Sequence, residues 1–144
     1  MFDNKFMSKA IDLAKKSDRD VPIACLIVEN GQIIAQACNQ KELLNDVSAH
    51  AEILAIKKAA SLKNNWRLDN CELYVTLEPC PMCATAIINS RISKVYFGAY
   101  DNLYGALGSV LDLREVFHSK LEVLGGINEQ ECSDLLKNCW RKNG

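Results

Sequence analysis

The sequence predicts a three-layer α/β domain, and three observations predict it. Short apolar, strand-like runs alternate along the chain with amphipathic, helix-like stretches. An Asn30-Gly31 pair between two apolar runs marks an early hairpin. Twice, at Ser48–His50 and at Glu78–Pro81, a strand or loop turns directly into a helix.

The elements follow in order. Residues 4–17 place Phe6, Met7, Ala10, Ile11, Leu13 and Ala14 at helical spacing, so the chain opens with an amphipathic helix ending near Ser17-Asp18. Ile23–Val28 and Gln32–Ala37 are the two hairpin strands around the type I′ pair Asn30-Gly31. Residues 39–48 read as polar loop, and a helix from Ala49 to Leu62 follows with Ser48 as its N-cap. Leu73–Leu77 is a short strand. It runs into a helix that begins at Pro81, a residue suited to a first helical turn, and ends near Asn89. Lys94–Gly98 and Leu121–Leu124 are the remaining strands, residues 101–109 a glycine-containing loop, and Glu129–Trp140 the last helix.

Composition sets the limits. A chain of 144 residues, 49% hydrophobic and 24% charged, is read as a single domain over 1–144 with a sizeable core. A formal net charge of −1 excludes a bulk basic field, so any affinity for nucleic acid must come from a local patch. The seven cysteines are odd in number and sit mostly in apolar runs such as Ile23–Ile27, which favours reduced thiols and a cytoplasmic location over a disulfide framework. Neither a signal peptide nor a membrane span is predicted.

The chemistry lies in two segments, His50-Ala51-Glu52 and Pro79-Cys80-Pro81-Met82-Cys83, with 26 residues between Glu52 and Pro79. One imidazole and two thiolates are three strong ligands for Zn²⁺, which prefers four in a tetrahedron. The fourth position is then open to water beside the Glu52 carboxylate. A structural zinc site closes with a fourth Cys or His, so this set points to hydrolysis. His50 and Glu52 would face apart inside a helix, since two residues turn about 200°. They converge only over a helix N-terminus, and the same holds for Cys80 and Cys83, whose thiols would be acidified by the positive end of the dipole. Taken alone, Cys-x-x-Cys also fits a redox pair or half a zinc ribbon. Together, His-x-Glu followed by Pro-Cys-x-x-Cys is the signature of the zinc deaminases.

The surrounding residues resemble the bacterial tRNA-specific adenosine deaminases, a branch of the cytidine deaminase-like superfamily. The likeness is carried by Leu73–Ala84, Ser90-Arg91-Ile92, Phe97-Gly98-Ala99 with Asp101, Gly105-Ala106, Gly108-Ser109, and upstream by Val21-Pro22-Ile23 and Asn39. It runs from about residue 4 to residue 142. The resemblance implies a mixed five-stranded sheet between helices, one zinc per subunit, and a homodimer whose two subunits touch RNA. It implies conversion of the wobble adenosine of a tRNA anticodon to inosine, with the anticodon stem-loop of a tRNA-Arg bearing ACG as the expected partner. Carried over residue by residue, His50, Cys80 and Cys83 match the zinc ligands and Glu52 the proton shuttle. Asn39 matches the side chain that hydrogen-bonds the purine, and Ala51 is expected beside it against the substrate. The chain departs from the family pattern at Asn102-Leu103-Tyr104, where a Lys is common, at Tyr100 in place of an Arg, and at a short end, Cys139–Lys142. Each change removes positive charge from an RNA-facing surface.

Single residues carry less. Trp140 either stacks on an anticodon base or packs the last helix on the core, and Arg141 is placed with it against the substrate. Arg67 and Arg91 pair either with phosphates or with neighbouring acids. Lys15-Lys16 and Lys57-Lys58 read as solvated helix faces, and His118 as a surface histidine. The cysteines outside the motif read as small apolar fillers. Two rival functions share the motif: a deaminase of a free nucleobase such as guanine or cytosine, and a catalytically inactive deaminase-fold subunit that binds RNA.

Overall fold

The computed structural model describes the backbone of residues 4–143 and the side-chain surroundings of residues 5–139. The elements are α1 (Asn4–Ala14), β1 (Ala24–Glu29), β2 (Gln32–Cys38), α2 (Lys41–Leu44), α3 (Ala51–Lys63), β3 (Cys71–Leu77), α4 (Pro81–Asn89), β4 (Lys94–Ala99), α5 (Leu113–Val116), β5 (Glu122–Leu124) and α6 (Glu129–Asn143). The strands form one mixed sheet in the order β2-β1-β3-β4-β5. β1 is antiparallel to both neighbours, whereas β3, β4 and β5 run parallel. Parallel neighbours need a long crossover, and α4 supplies it between β3 and β4.

Helices cover both faces of the sheet, so the central strands are apolar on both sides. On β1, Cys25 and Ile27 join the core under α3 and α4, while Ala24, Leu26 and Val28 join the core under α1 and α6. All five are buried, which is why β1 reads as a continuous apolar run. β2 lies at the edge and alternates instead. Helix α1 seats Phe6, Met7, Ala10, Ile11 and Ala14 on the sheet at the spacing of one helical stripe. There Phe6 meets Tyr74 at 5.2 Å between ring centroids, and Tyr74 stacks on Tyr96 at 4.6 Å. The hairpin turns through Asn30 (φ 52°) and Gly31 (φ 75°), the two positive-φ positions that a type I′ turn requires.

The expected elements all form, and five details differ. The polar loop 39–48 contains a single helical turn, α2, too short to show a period. The Asp20 carboxylate caps it by accepting from Glu42 N at 2.8 Å and Leu43 N at 3.3 Å, and Asn45 stops it in the left-handed region. A second short turn, α5, is capped by Asp112, which accepts from Arg114 N at 3.0 Å. Ser48 is not the N-cap of α3: its hydroxyl bonds Asp46 at 2.7 Å, and His50 takes the capping position. Helix α1 stops at Ala14, because Lys16 N and Ser17 N reach back only three residues, to Leu13 O and Ala14 O, tightening the last turn. At the other end, α6 continues past Trp140 to Asn143. Among the described residues, no helix is long and apolar enough to cross a membrane.

Leu73, fully buried on the third of five strands, tests the core directly. Leu73→Ala is expected to lower unfolding stability by about 2–5 kcal/mol, read as a fall in the urea midpoint with an unchanged slope.

Candidate metal centre and active site

Two helix N-termini meet at the site. α3 begins at His50 (φ −75°, ψ 152°) and α4 at Cys80 (φ −74°, ψ 173°), with Pro81 in the first turn of α4. Neither end is closed by its own cap side chain, so both starts present N–H groups and positive dipole ends to one small volume. Glu52 and Cys83 stand in the first turns of these same helices. The sheet aims both ends: β3 delivers Glu78-Pro79-Cys80 at its carboxyl end, and Asn39 leaves the end of β2 with its N–H bonded to Ile23 O at 3.0 Å.

His50 Nδ1 lies 3.6 Å from Cys80 Sγ and 3.5 Å from Cys83 Sγ. The three ligand atoms are all within 4.8 Å of one another, the only such cluster among the described residues. The fit to zinc is quantitative. With Zn–S near 2.3 Å and Zn–N near 2.0–2.1 Å, tetrahedral coordination puts nitrogen and sulfur about 3.6 Å apart. The donor set is therefore already spaced for Zn²⁺.

The electrostatics point the same way. The Cys80 thiol is held down at about 4, first by the hydrogen bond from Cys83 and then by His50, which favours the thiolate form that a metal takes. Cys83, the donor in that pair and itself buried, is pushed up. A cation between the two sulfurs would displace its proton. The hydrogen bond to Cys80 raises His50. Glu52 is only 5% exposed, and burial lifts its carboxyl to about 7. A carboxyl poised near neutrality beside three metal-ligating side chains is suited to accept and return a proton.

The structure brings Asn39 and Ala51 together. The Ala51 N–H donates to Asn39 Oδ1 at 2.8 Å, which fixes the side-chain amide and leaves Nδ2 as the donor for a ligand. Ala51 thus acts on the site through Asn39, with its own amide already engaged. Trp140 and Arg141 fall in the last turns of α6, and their side chains lie outside the described residues. Arg67 pairs with Asp69 at 2.8 Å, which answers it as a local ion pair. Of the cysteines read as apolar fillers, Cys25, Cys71 and Cys132 are buried, whereas Cys38 and Cys139 are partly exposed. One residue of the site went unassigned in the sequence. Glu78, two positions before Cys80, is 2% exposed and accepts hydrogen bonds from the loop at 101–109. Its signal was an acid in an otherwise uncharged strand-to-helix turn.

The model of the cytidine and deoxycytidylate deaminase zinc-binding region matches residues 1–99. The chain belongs to that deaminase family. This deaminase is 44% identical over 144 residues to the tRNA-specific adenosine deaminase of Bacillus subtilis (strain 168), covering 97% of this chain and 89% of the relative. A solved structure from a study of A-to-I editing by tRNA:A34 deaminases superposes with a TM-score of 0.85 at 38% identity, covering 93% of this chain and all of the other. The guanine deaminase of Bacillus subtilis matches less of the deaminase, 69% of this chain and 66% of its own, with a TM-score of 0.66 at 38% identity. The sheet and helix layers described above are those of the cytidine deaminase-like fold.

Metal analysis of the purified deaminase is expected to give about one zinc per chain, and Cys80→Ala to lose most of it. Retention should weaken as the pH falls, because protons compete for the imidazole and thiolate donors. A Cys80→Ala protein with full zinc would show that the ligands lie elsewhere.

Proposed function

We propose that this deaminase converts adenosine to inosine at the wobble position of a tRNA anticodon, releasing ammonia. The observation that carries the reading is the spacing of His50, Cys80 and Cys83 for a tetrahedral zinc beside a buried Glu52. The relatives that act on tRNA support the substrate, since they match this chain over nearly its whole length. In this reading His50, Cys80 and Cys83 are the zinc ligands, Glu52 is the catalytic residue, and a single deaminase domain spans 1–144.

Bound zinc supplies a Lewis acid that makes water a nucleophile near neutral pH. The chain's own residues do the rest. Glu52 takes a proton from the attacking water and delivers it to purine N1, which makes C6 more electrophilic. The C6–O bond forms, the carboxylate takes the remaining proton from the new C6 hydroxyl and passes it to the exocyclic nitrogen, and the C6–N bond breaks to release ammonia and leave the C6 carbonyl. Asn39, held by the Ala51 amide, donates its Nδ2 hydrogen to a purine ring acceptor and fixes the face presented to the centre. An anticodon-loop adenine is unpaired, so flipping it out takes less than the few kcal/mol a duplex demands.

The partner we propose is the anticodon stem-loop of a tRNA-Arg with an ACG anticodon, bound by a homodimer in the cytoplasm. The free thiols support a reducing compartment. Trp140 and Arg141 are proposed to reach the RNA from the end of α6.

The proposal is tested by incubating the zinc-loaded protein with that tRNA and sequencing for A-to-I conversion. Glu52→Gln is expected to keep its zinc and its tRNA binding while losing about 10²–10⁴ in rate. Zinc lost with the carboxylate would make Glu52 a ligand, and normal turnover would place the shuttle elsewhere. Ammonia released from free guanine or cytosine, with no inosine in tRNA, would favour the nucleobase deaminases instead.

A further inference from the structure

Glu78 is the most heavily hydrogen-bonded side chain near the site, and the proton chemistry does not use it. It sits at the end of β3, two residues before Cys80, and is 2% exposed. All of its described partners lie on the loop that follows β4. Asp101 N donates to Oε1 at 3.1 Å, Leu107 N to Oε2 at 3.2 Å, Ser109 N to Oε2 at 3.1 Å, and the Ser109 hydroxyl to Oε1. A carboxylate can accept four such bonds, whereas an amide of the same shape must present a donor to some of them.

The fit extends to the loop backbone. A Cβ at Gly105 would come within 2.6 Å of Glu78 Oε1, so glycine is what lets the loop close over the carboxylate. Ala106 N bonds Pro79 O at 2.9 Å, tying the loop to the turn that carries Cys80. The tip is shaped in turn by Asp101, whose Oδ1 accepts from Leu103 N and Tyr104 N, both at 3.0 Å. The result is a loop fastened at its base with its apolar tip in solvent: Leu103 is 78% and Tyr104 65% exposed. Burying a carboxylate is unfavourable unless hydrogen bonds replace its water. Here those bonds come from a loop bordering the metal centre, so the burial of Glu78 and the shape of the loop require each other.

We propose that Glu78 is a positioning residue for the substrate. It holds the 101–109 loop against the Pro79–Cys80 turn, so that Leu103 and Tyr104 stand beside the centre and pack on nucleotides flanking the reactive adenosine. An exposed aromatic on a loop tied to the Pro79–Cys80 turn offers the stacking that single-stranded RNA uses. The inference rests on the tRNA reading above. It predicts that Glu78 governs the binding of a long substrate, not the metal and not the chemical step.

The experiment compares the full-length, zinc-loaded wild type, Glu78→Gln, Ser109→Ala and the double variant on the ACG tRNA, with amide hydrogen exchange of residues 101–111 measured in parallel. In Glu78→Gln zinc should stay at the wild-type level, KM for tRNA should rise by about tenfold or more, and kcat should stay within about threefold. Loop amides should exchange faster by a similar factor. Ser109→Ala should shift KM the same way by a smaller factor and add little to Glu78→Gln, because both act on one set of bonds. A merely structural Glu78 would lower the melting temperature and leave KM and loop exchange of the folded enzyme unchanged, overturning the proposal. Loss of zinc in Glu78→Gln would overturn it too, since the carboxylate would then serve the metal turn. If Glu78→Gln does not fold, Ser109→Ala decides alone, and an unchanged KM for tRNA rejects the idea. Failure of the tRNA reading would appear separately, as a wild type inactive on tRNA whose loop still loosens in Glu78→Gln.

Discussion

The site exists because α3 and α4 start at one point with their first turns uncapped by their own side chains. A helix N-terminus leaves N–H groups without internal partners and carries a partial positive charge. Placing two together would be unfavourable without negative charge to face them, and Cys80, whose thiol is held low, supplies it with the Glu52 carboxyl beside it. The sheet enforces the meeting. β3 delivers Cys80 at its carboxyl end, and the β1–β2 hairpin delivers Asn39, which in turn holds the start of α3 through the Ala51 amide. Moving either helix by a residue would rotate its ligand away, because the spacings His50–Glu52 and Cys80–Cys83 converge only over helix ends.

Two buried carboxylates flank this point and solve the problem of burial differently. Glu78 is surrounded by donors from one loop and becomes part of the framework. Glu52 is left with burial as its dominant influence, which lifts its carboxyl to about 7 and keeps its proton exchangeable near neutral pH. Among the described residues, no buried side-chain nitrogen or oxygen lacks a partner. The contrast between the two acids lies in their surroundings: donors from one loop hold Glu78, whereas burial dominates at Glu52, the group proposed to move protons.

Much of this was legible in the sequence where a residue pattern has a single physical solution. Asn30-Gly31 allowed one turn, the stripe from Phe6 to Ala14 one helix face, and the two ligand segments one meeting place. Short features were not legible. α2 and α5 hold four residues each, below any period, and depend on capping by Asp20 and Asp112, the first from outside the segment. Ser48 looked like an N-cap because the residue type is right, yet Asp46 captured its hydroxyl and left the cap to His50. Glu78 stayed hidden for a related reason. Its partners are backbone amides 23 to 31 residues away, which no local pattern reveals.

An open three-ligand zinc centre built on two helix ends has a distinct signature in X-ray absorption at the zinc edge of the purified protein. Two sulfur neighbours near 2.3 Å and two nitrogen or oxygen neighbours near 2.0–2.1 Å are expected, one of the latter from solvent. The Glu52→Gln protein should give the same spectrum. A shell of three or four sulfurs, or one that changes when the Glu52 carboxylate is removed, would rule out an open His50–Cys80–Cys83 centre.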